Sequence, residues 1–576
     1  MGTFQSNKCF NKEGEIRLVG DSDIVDVWGS IKGSPQFDGF KIPDIWGNLG
    51  KLAASGPWEI QKGTVETVGT DLSHNILNYV TPITGYAATG CTGYVDGVIS
   101  GTGAWTLQSS PQTIGGVSYV GFGLLIATAN NTHSTTTMQA NTKLQLGADV
   151  NSLTGTIRDV SLATGAILDI FGANTTRFNK VFVVTNNGGT VNWKGPNICG
   201  QGNLGNNGTY TNNGVTNVQD CTWSLGTGLA GSGVINIIDS GTFHNNSIQA
   251  IGSSNTFNIN GCGRCNPAGV RQGALSINAV TTFAPKINVQ SAACIKTHNN
   301  ANVTFSGLLT GFAPLTVGNL GTPVNGISQF TNTGNTYSGT MTVDGTTINA
   351  SYGNSLQYAK IVLVNGGRIG TNSNTSQVIG SLASNDPTTY WQSGDPVNNT
   401  IANNGITTYA GRLLWTGGMY AANYFLNGGS QNQLTMTGTG NTGNIYPRNG
   451  AKLILQGATF TAPGGQVRVS GGATVSAGTS TTASCTYLYI DATSKLEVKP
   501  VGAGASLMNV TTGFVPSAGW KVDLPDAMAS GTYDIVSYIG TATTILPTIG
   551  LNNSGKTVTF AYANGTNPKK LRMTLV

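Results

Sequence analysis

Acidic residues are so scarce in this chain that acid–base chemistry has few places to occur. Asp and Glu together number 24 among 576 residues, and none lies between Asp96 and Asp149 or between Asp239 and Asp344. Glycoside hydrolysis needs two carboxylates about 5–9.5 Å apart. That leaves Asp220 with Asp239, 19 residues apart and able to stack on successive coils, and Asp386 with Asp395, able to flank a loop. Isolated turn aspartates explain both pairs more simply, and Asp386-Pro387 reads as a turn. The four histidines, His74, His133, His244 and His298, sit in polar stretches without a Gly-x-Ser-x-Gly elbow, so a nucleophilic triad has no support. No catalytic residue is assigned.

The eight cysteines are Cys9, Cys91, Cys199, Cys221, Cys262, Cys265, Cys294 and Cys485. An even count in an extracellular chain allows up to about four disulfides. Cys199 and Cys221, 22 residues apart, fit a bridge between neighbouring coils. Cys262 and Cys265 followed by Cys294 and His298 offer zinc-type ligands, but the 28 intervening residues exceed zinc-ribbon spacing. Burial or disulfide bonding is the simpler reading, and neither metal nor cofactor is expected.

Binding chemistry remains. Sugar rings stack on aromatic faces while their hydroxyls bond amides and hydroxyls. Trp391 and Tyr409 are 18 residues apart, with Tyr390, Trp415 and Tyr420 close by, and these five form the expected glycan-contacting face. The alternative places the same rings inside the coil or at a subunit contact.

The elements that must position these residues announce themselves through turns. Asn325-Gly326, Asp344-Gly345, Asn365-Gly366, Asn385-Asp386, Asn404-Gly405, Asn427-Gly428 and Asn449-Gly450 recur at intervals of 19, 21, 20, 19, 23 and 22 residues. Such pairs tolerate the left-handed backbone of tight turns. Between them lie β-branched runs such as Lys360 to Val364, too short for helices. One turn per roughly 20 residues predicts stacked coils, roughly 25 of them at about 4.8 Å each. In such a stack like residues lie over like, so amides and hydroxyls can form ladders while Val, Ile and Leu fill the interior.

Composition agrees with an all-β stack. Gly supplies 82 residues and charged residues only 9%, while 39% are hydrophobic. The net charge of +5 comes with no dense basic cluster, so nucleic-acid binding is not expected. No apolar run reaches the roughly 18 residues of a membrane helix, and membrane insertion is not expected. Residues 1–66 hold four of the five glutamates and three of the nine tryptophans, which reads as a separate anchor or capping module. An irregular coil is expected over 67–320, a regular one over 321–530, and a β-rich cap over 531–576.

The run Gly334-Asn335-Thr336-Tyr337-Ser338-Gly339, with Thr342-Val343, Gly345 and Ile348 after it, resembles the passenger-associated repeat of bacterial autotransporters. Asn354-Ser355-Leu356 and Ile361 to Gly367 continue the likeness, and Gly531 to Asp534 with Leu551 to Val558 resemble the closing segment of such passengers. The resemblance covers roughly residues 320–576 and implies a right-handed parallel β-helix. The chain shows no export signal and no C-terminal membrane barrel, in which it looks more like a bacteriophage tailspike, tail fibre or capsid-decorating fibre. That likeness implies a virion-surface, extracellular protein that binds a host cell-surface glycan, meets other virion proteins through residues 1–66 and assembles as a homotrimer. A polysaccharide-cleaving tailspike and an adhesin passenger are the alternatives.

Overall fold

Strands of the observed solenoid follow from a two-residue alternation closed by a left-handed turn. In Thr190–Lys194, Val191 and Trp193 point inward while Thr190, Asn192 and Lys194 point outward. Val215–Gln219 and Val234–Ile238 repeat the pattern. The turn columns that follow contain Asp220, Asp239 and Gly261, with φ of 51°, 55° and 81°, a conformation that Asp and Gly reach at low cost.

The computed structural model describes backbone strands at Leu18–Val19, Phe37–Asp38 and between Trp58 and Val95. It describes residues 98–576 except 111, 115–116, 120–122, 246–250, 253, 280, 299–300, 319, 321–325, 350–352, 372–375, 394–396, 403–404, 416–420, 462–463, 480–481 and 566. Among the described residues there is no helix, hence none long and apolar enough to cross a membrane. The stacked parallel strands form a β-solenoid of about 17 turns. The expected coil of about 20 residues is exceeded by several of the coils seen, with separations up to 30 residues. Most of the expected 1–66 module lies outside the described residues; within it, Trp58–Gln61 already pairs in parallel with Ile83–Tyr86.

The chain divides into two compact units, Met1–Lys296 and Thr297–Val576. In the first, three parallel sheets face the interior. One runs from Thr92–Val95 through Leu124–Ala127, Lys143–Leu146, Ile167–Phe171 and Thr190–Lys194 up to Lys286–Thr297. A second includes Thr135–Met138, Asp159–Leu162 and Val183–Asn186. The third stacks Phe178–Val181, Asn203–Asn206, Thr222–Ser224, Thr242–Asn245 and Leu275–Ile277. Rings fill the space between them. Trp193 stacks on Trp223 at 5.7 Å, and Trp223, Phe243, Phe257 and Phe283 continue edge-to-face at 5.1 Å steps.

In the second unit one long parallel sheet runs from Leu315–Gly318 through Thr340–Asp344, Asn398–Ile401, Asn423–Leu426, Asn444–Pro447, Gln466–Val469 and Thr482–Ile490 to Leu507–Pro516. Opposite it lie a sheet ending at Arg412–Trp415 and another beginning at Gly405–Tyr409. Asn365-Gly366 and Asn449-Gly450 adopt the left-handed turns their types demand, with φ of 51° and 73°, and 57° and 79°. The stack closes on antiparallel strands: Lys569–Leu575 pairs with both Gly531–Tyr538 and Val558–Ala563.

Amides connect one coil to the next. On the outer face of the first unit, Asn192 Nδ2 donates to Asp169 at 2.7 Å, and Asn217, Asn236, Asn258 and Asn288 each donate to the amide oxygen of the coil before, at 2.7, 2.8, 2.8 and 3.1 Å. Their sequence separations of 23, 25, 19, 22 and 30 show how unequal the coils are. Inside, buried Asn186, Asn212 and Asn255 form a second ladder with 3.0 Å steps.

Among the described residues, the passenger-like run around Asn335 is one of three copies of a buried corner. Asn335 Oδ1 accepts the Leu309 N–H at 2.7 Å, while the Leu309 carbonyl accepts N–H groups from Thr336 and Tyr337. Asn441 does the same for Leu413 at 2.8 Å, with Thr442 and Gly443, and Asn131 for Ile99 at 2.8 Å, with Thr132 and His133. The three asparagines are 3%, 0% and 2% exposed. Glycine at 339 has its own reason: a Cβ there would stand 2.6 Å from the carbonyl oxygens of Phe312 and Ala313.

Asn441 Nδ2 also reaches the Gly438 and Thr459 carbonyls, at 2.7 and 3.0 Å. Asn441→Ala therefore strands buried backbone groups and is expected to cost about 1–3 kcal/mol. Asn423→Ala removes only an outer-ladder amide and is expected to cost under about 1 kcal/mol. Thermal melting of both variants checks this; equal shifts would contradict the special role of the corner.

Candidate functional site

The Tyr390–Ser393 strand alternates, sending Trp391 and Ser393 inward and Tyr390 outward. Trp391 is 0% exposed, edge-on to Tyr424 at 5.2 Å, and Tyr409 is also 0% exposed, its hydroxyl donating to the Arg412 carbonyl at 3.0 Å. These two rings are core, which corrects the expectation that they face a glycan. Their 18-residue spacing misleads because Trp391 registers with Leu413, whereas Tyr409 registers with Met436 in a different sheet. Trp415 closes a strand opposite Ser393, and Tyr420 lies outside the described residues. Tyr390 remains at the surface under the Arg368 guanidinium, 4.9 Å from its ring centre.

A richer aromatic face lies on the outer side of the long sheet of the second unit. Register places Phe425 beside Tyr446 and Arg468 beside Tyr489, with Tyr446 and Arg468 one strand apart. Phe425 and Tyr446 stack with centroids 5.1 Å apart and planes at 26°. Arg448 covers Phe425 at 4.1 Å, Arg468 covers Tyr489 at 5.3 Å, and Tyr487 stacks beside Tyr489 at 5.9 Å. Glycine at 513 makes room, since a Cβ there would lie 2.8 Å from the Tyr487 ring. Burial pushes the Tyr446 phenol up against the opposing pull of Arg468, so it stays a neutral donor.

An amide column borders these rings. Asn423 Nδ2 donates to Asn398 at 2.9 Å, Asn444 Nδ2 to Asn423 at 3.1 Å, and Asn444 Oδ1 accepts the Gln466 N–H at 3.1 Å. Flat rings, guanidinium groups and the Asn423 amide thus lie side by side on the outer side of the sheet, with Asn444 itself buried, the combination that sugar rings and hydroxyls require. Sequence reasoning missed this strip, although Phe425 and Tyr489 sit on the outward phase of an alternating run and Tyr446 is the least buried residue of its strand.

The acids are occupied with structure. Asp386 caps its own turn: Oδ1 accepts from the Thr388 N–H and hydroxyl at 2.8 and 2.6 Å, and Oδ2 from the Gly366 N–H at 2.9 Å. Burial would raise this carboxyl, but those bonds outweigh it and hold it low. Asp395 lies outside the described residues. Asp220 and Asp239 follow equivalent strands of successive coils. Burial, with Asp239 nearby, raises the Asp220 carboxyl.

Cysteine pairing differs from the sequence expectation. Cys199 bonds Cys265, not Cys221, and Cys262 bonds Cys294, so the thiols that resembled a zinc set are consumed. Cys221 and Cys485 are buried free thiols, each pushed by burial up to about 12. Cys9, Cys91 and His74 lie outside the described residues. His133 is buried against Trp105, with Nε2 2.7 Å from the Thr136 hydroxyl, and His244 Nδ1 lies 3.0 Å from Ser276 Oγ.

Set beside known proteins, the chain matches no protein-family model, and no curated protein is significantly similar to it.

Burial lowers His133 to about 4, and burial together with Arg177 and Lys296 lowers His244 to about 4. Both are neutral in the fold but take up protons once unfolded, near 6.5. The unfolded state therefore binds more protons between these values, and stability falls as pH drops from about 6.5 to about 4. Melting temperature measured across this range should decline, and less steeply in His133→Asn; a flat profile would contradict the buried neutral imidazoles.

Proposed function

We propose that this chain is the solenoid of a bacteriophage virion fibre, a tailspike, tail fibre or capsid-decorating fibre, which binds host-surface glycan and leaves it intact. The observation that carries the reading is the outer strip of Phe425, Tyr446, Arg468, Tyr487 and Tyr489 beside the Asn398–Asn423–Asn444 amide column. Rings at this spacing can stack a glycan along the coil direction, and the carboxylate next to them in the chain, Asp491, is engaged by the Gly471 and Thr493 N–H groups and the Thr493 hydroxyl. Two disulfides in the first unit favour an oxidising, extracellular setting. The likeness of Gly334 to Gly339 to the passenger-associated repeat of bacterial autotransporters supports the solenoid and is shared by the adhesin alternative. The adhesin alternative shares the solenoid and the glycan, and differs in the particle that carries it.

A glycan microarray probed with the full chain should give saturable binding that weakens about tenfold or more in Tyr446→Ala and Tyr489→Ala. Bound glycans should show no new reducing ends on long incubation. Unchanged binding in both variants would sink the strip as the site, and steady oligosaccharide release would replace binding with cleavage. Capsid or tail genes flanking its own would support the virion setting, and export genes would support the adhesin.

A further inference from the structure

The first unit contains a concave site different in chemistry from the aromatic strip of the second unit. The outer side of its third sheet forms the floor of a cavity of about 550 Å³. Thr222, Ser224 and His244 come from successive strands of that floor, and Asn203 from the strand before. The walls are loops held covalently. Cys199–Cys265 ties the segment before the Asn203–Asn206 strand to the segment after Gly261, and Cys262–Cys294 ties the root of the same loop to the Lys286–Thr297 strand. The cavity shape is therefore set before any ligand arrives.

Its charge is one-sided. Arg177 and Arg264 line it, and neither Asp nor Glu is among the lining residues. Arg264 is 2% exposed and donates to the carbonyls of Asp220 and Ile198, yet its Nε is buried without a partner. Arg177 stands exposed at the rim, its guanidinium steered by bonds to the Asn206 carbonyl at 2.6 Å and Asn179 Oδ1 at 3.1 Å. Lys296 is close enough to His244 to help keep that imidazole neutral. Two guanidinium groups with no carboxylate in the cavity lining favour an oxyanion, for which the planar fork is suited; Asp220, outside the lining, offsets part of the Arg264 charge. The volume falls in the range of small-ligand sites, about 300–1,000 Å³, far more than an inorganic ion fills. The hydroxyl and amide lining suits a polyhydroxylated ring.

We propose that this groove binds an acidic saccharide unit, its carboxylate held by Arg177 and Arg264 and its hydroxyls by Thr222, Ser224 and Asn203. The saccharide part of the assignment rests on the glycan-binding reading above; the anion part rests on the groove alone. Together the two sites would read a glycan's neutral rings and its acidic units separately.

The test uses the full oxidised chain and glucuronic acid as probe, followed by NMR titration, with glucose and inorganic phosphate as comparators. The expected result is saturable glucuronate binding, at least tenfold tighter than either comparator and weakened by added salt. Arg177→Gln, at an exposed position, should weaken it at least fivefold, and Thr222→Trp, which fills the floor, should abolish it. Absence of saturable binding, or indifference to both variants, overturns the site. Glucose binding as tightly overturns the anion part. Phosphate binding as tightly overturns the saccharide part. Because the strip is read with array glycans and the groove with glucuronate, failure of one is distinguishable from failure of the other.

Discussion

Everything in this molecule depends on parallel, in-register stacking, in which each side chain meets a counterpart one strand away, about 4.8 Å along the stack. Under that constraint a charge on one coil tends to face a like charge on the next. Two like charges about 4 Å apart cost about 1 kcal/mol in water and about 4 kcal/mol near a protein surface, so a long charged column is self-defeating. Amides escape the penalty, because each carries both donor and acceptor and can satisfy its neighbour. The row from Asp169 to Asn288 shows the solution: one carboxylate at the end accepts, and five amides pass the pattern on. Where two aspartates do fall on successive turns, at Asp220 and Asp239, the Asp220 carboxyl is pushed up by burial and by its neighbour. A charged content of only 9% follows from the same constraint.

Inside the stack the rule is stricter, because a polar group there has no water to fall back on. The corners at Asn131, Asn335 and Asn441 meet it by pairing one side-chain oxygen with the N–H of a residue in the preceding coil. On the outside the rule becomes an opportunity. A column can carry any chemistry that tolerates repetition, and the column through Phe425, Tyr446, Arg468 and Tyr489 alternates rings with a guanidinium that covers one of them. Cation and ring attract each other in this arrangement, so the strip is self-supporting before it meets a ligand.

Much of the fold was legible because turn chemistry is local. Asn365-Gly366 and Asn449-Gly450 take up left-handed turns for reasons contained in the two residues themselves, and the parallel solenoid follows from their recurrence. The site was less legible because it depends on coil length. Separations between 19 and 30 residues mean that spacing alone does not say which residues become neighbours. Trp391 and Tyr409 looked like one face at 18 residues apart, yet they occupy different sheets and both point inward. A one-residue difference in phase separates buried Trp391 from half-buried, outward-facing Tyr390. Cystine pairing failed for a related reason: Cys199 meets Cys265 across 66 residues because the loop after Gly261 folds back along the stack. The Asn-Thr pair common to the three corners is too frequent in this chain to stand out before its buried partners are known.

The most direct test of the account is a crystal structure of the full chain with an oligosaccharide that it binds on an array. An intact glycan should lie along the outer face of the long sheet, its rings against Phe425, Tyr446 and Tyr489 and its hydroxyls within hydrogen-bond reach of Asn398 or Asn423. A glycan bound elsewhere with the strip bare, or a cleaved product in its place, would contradict it.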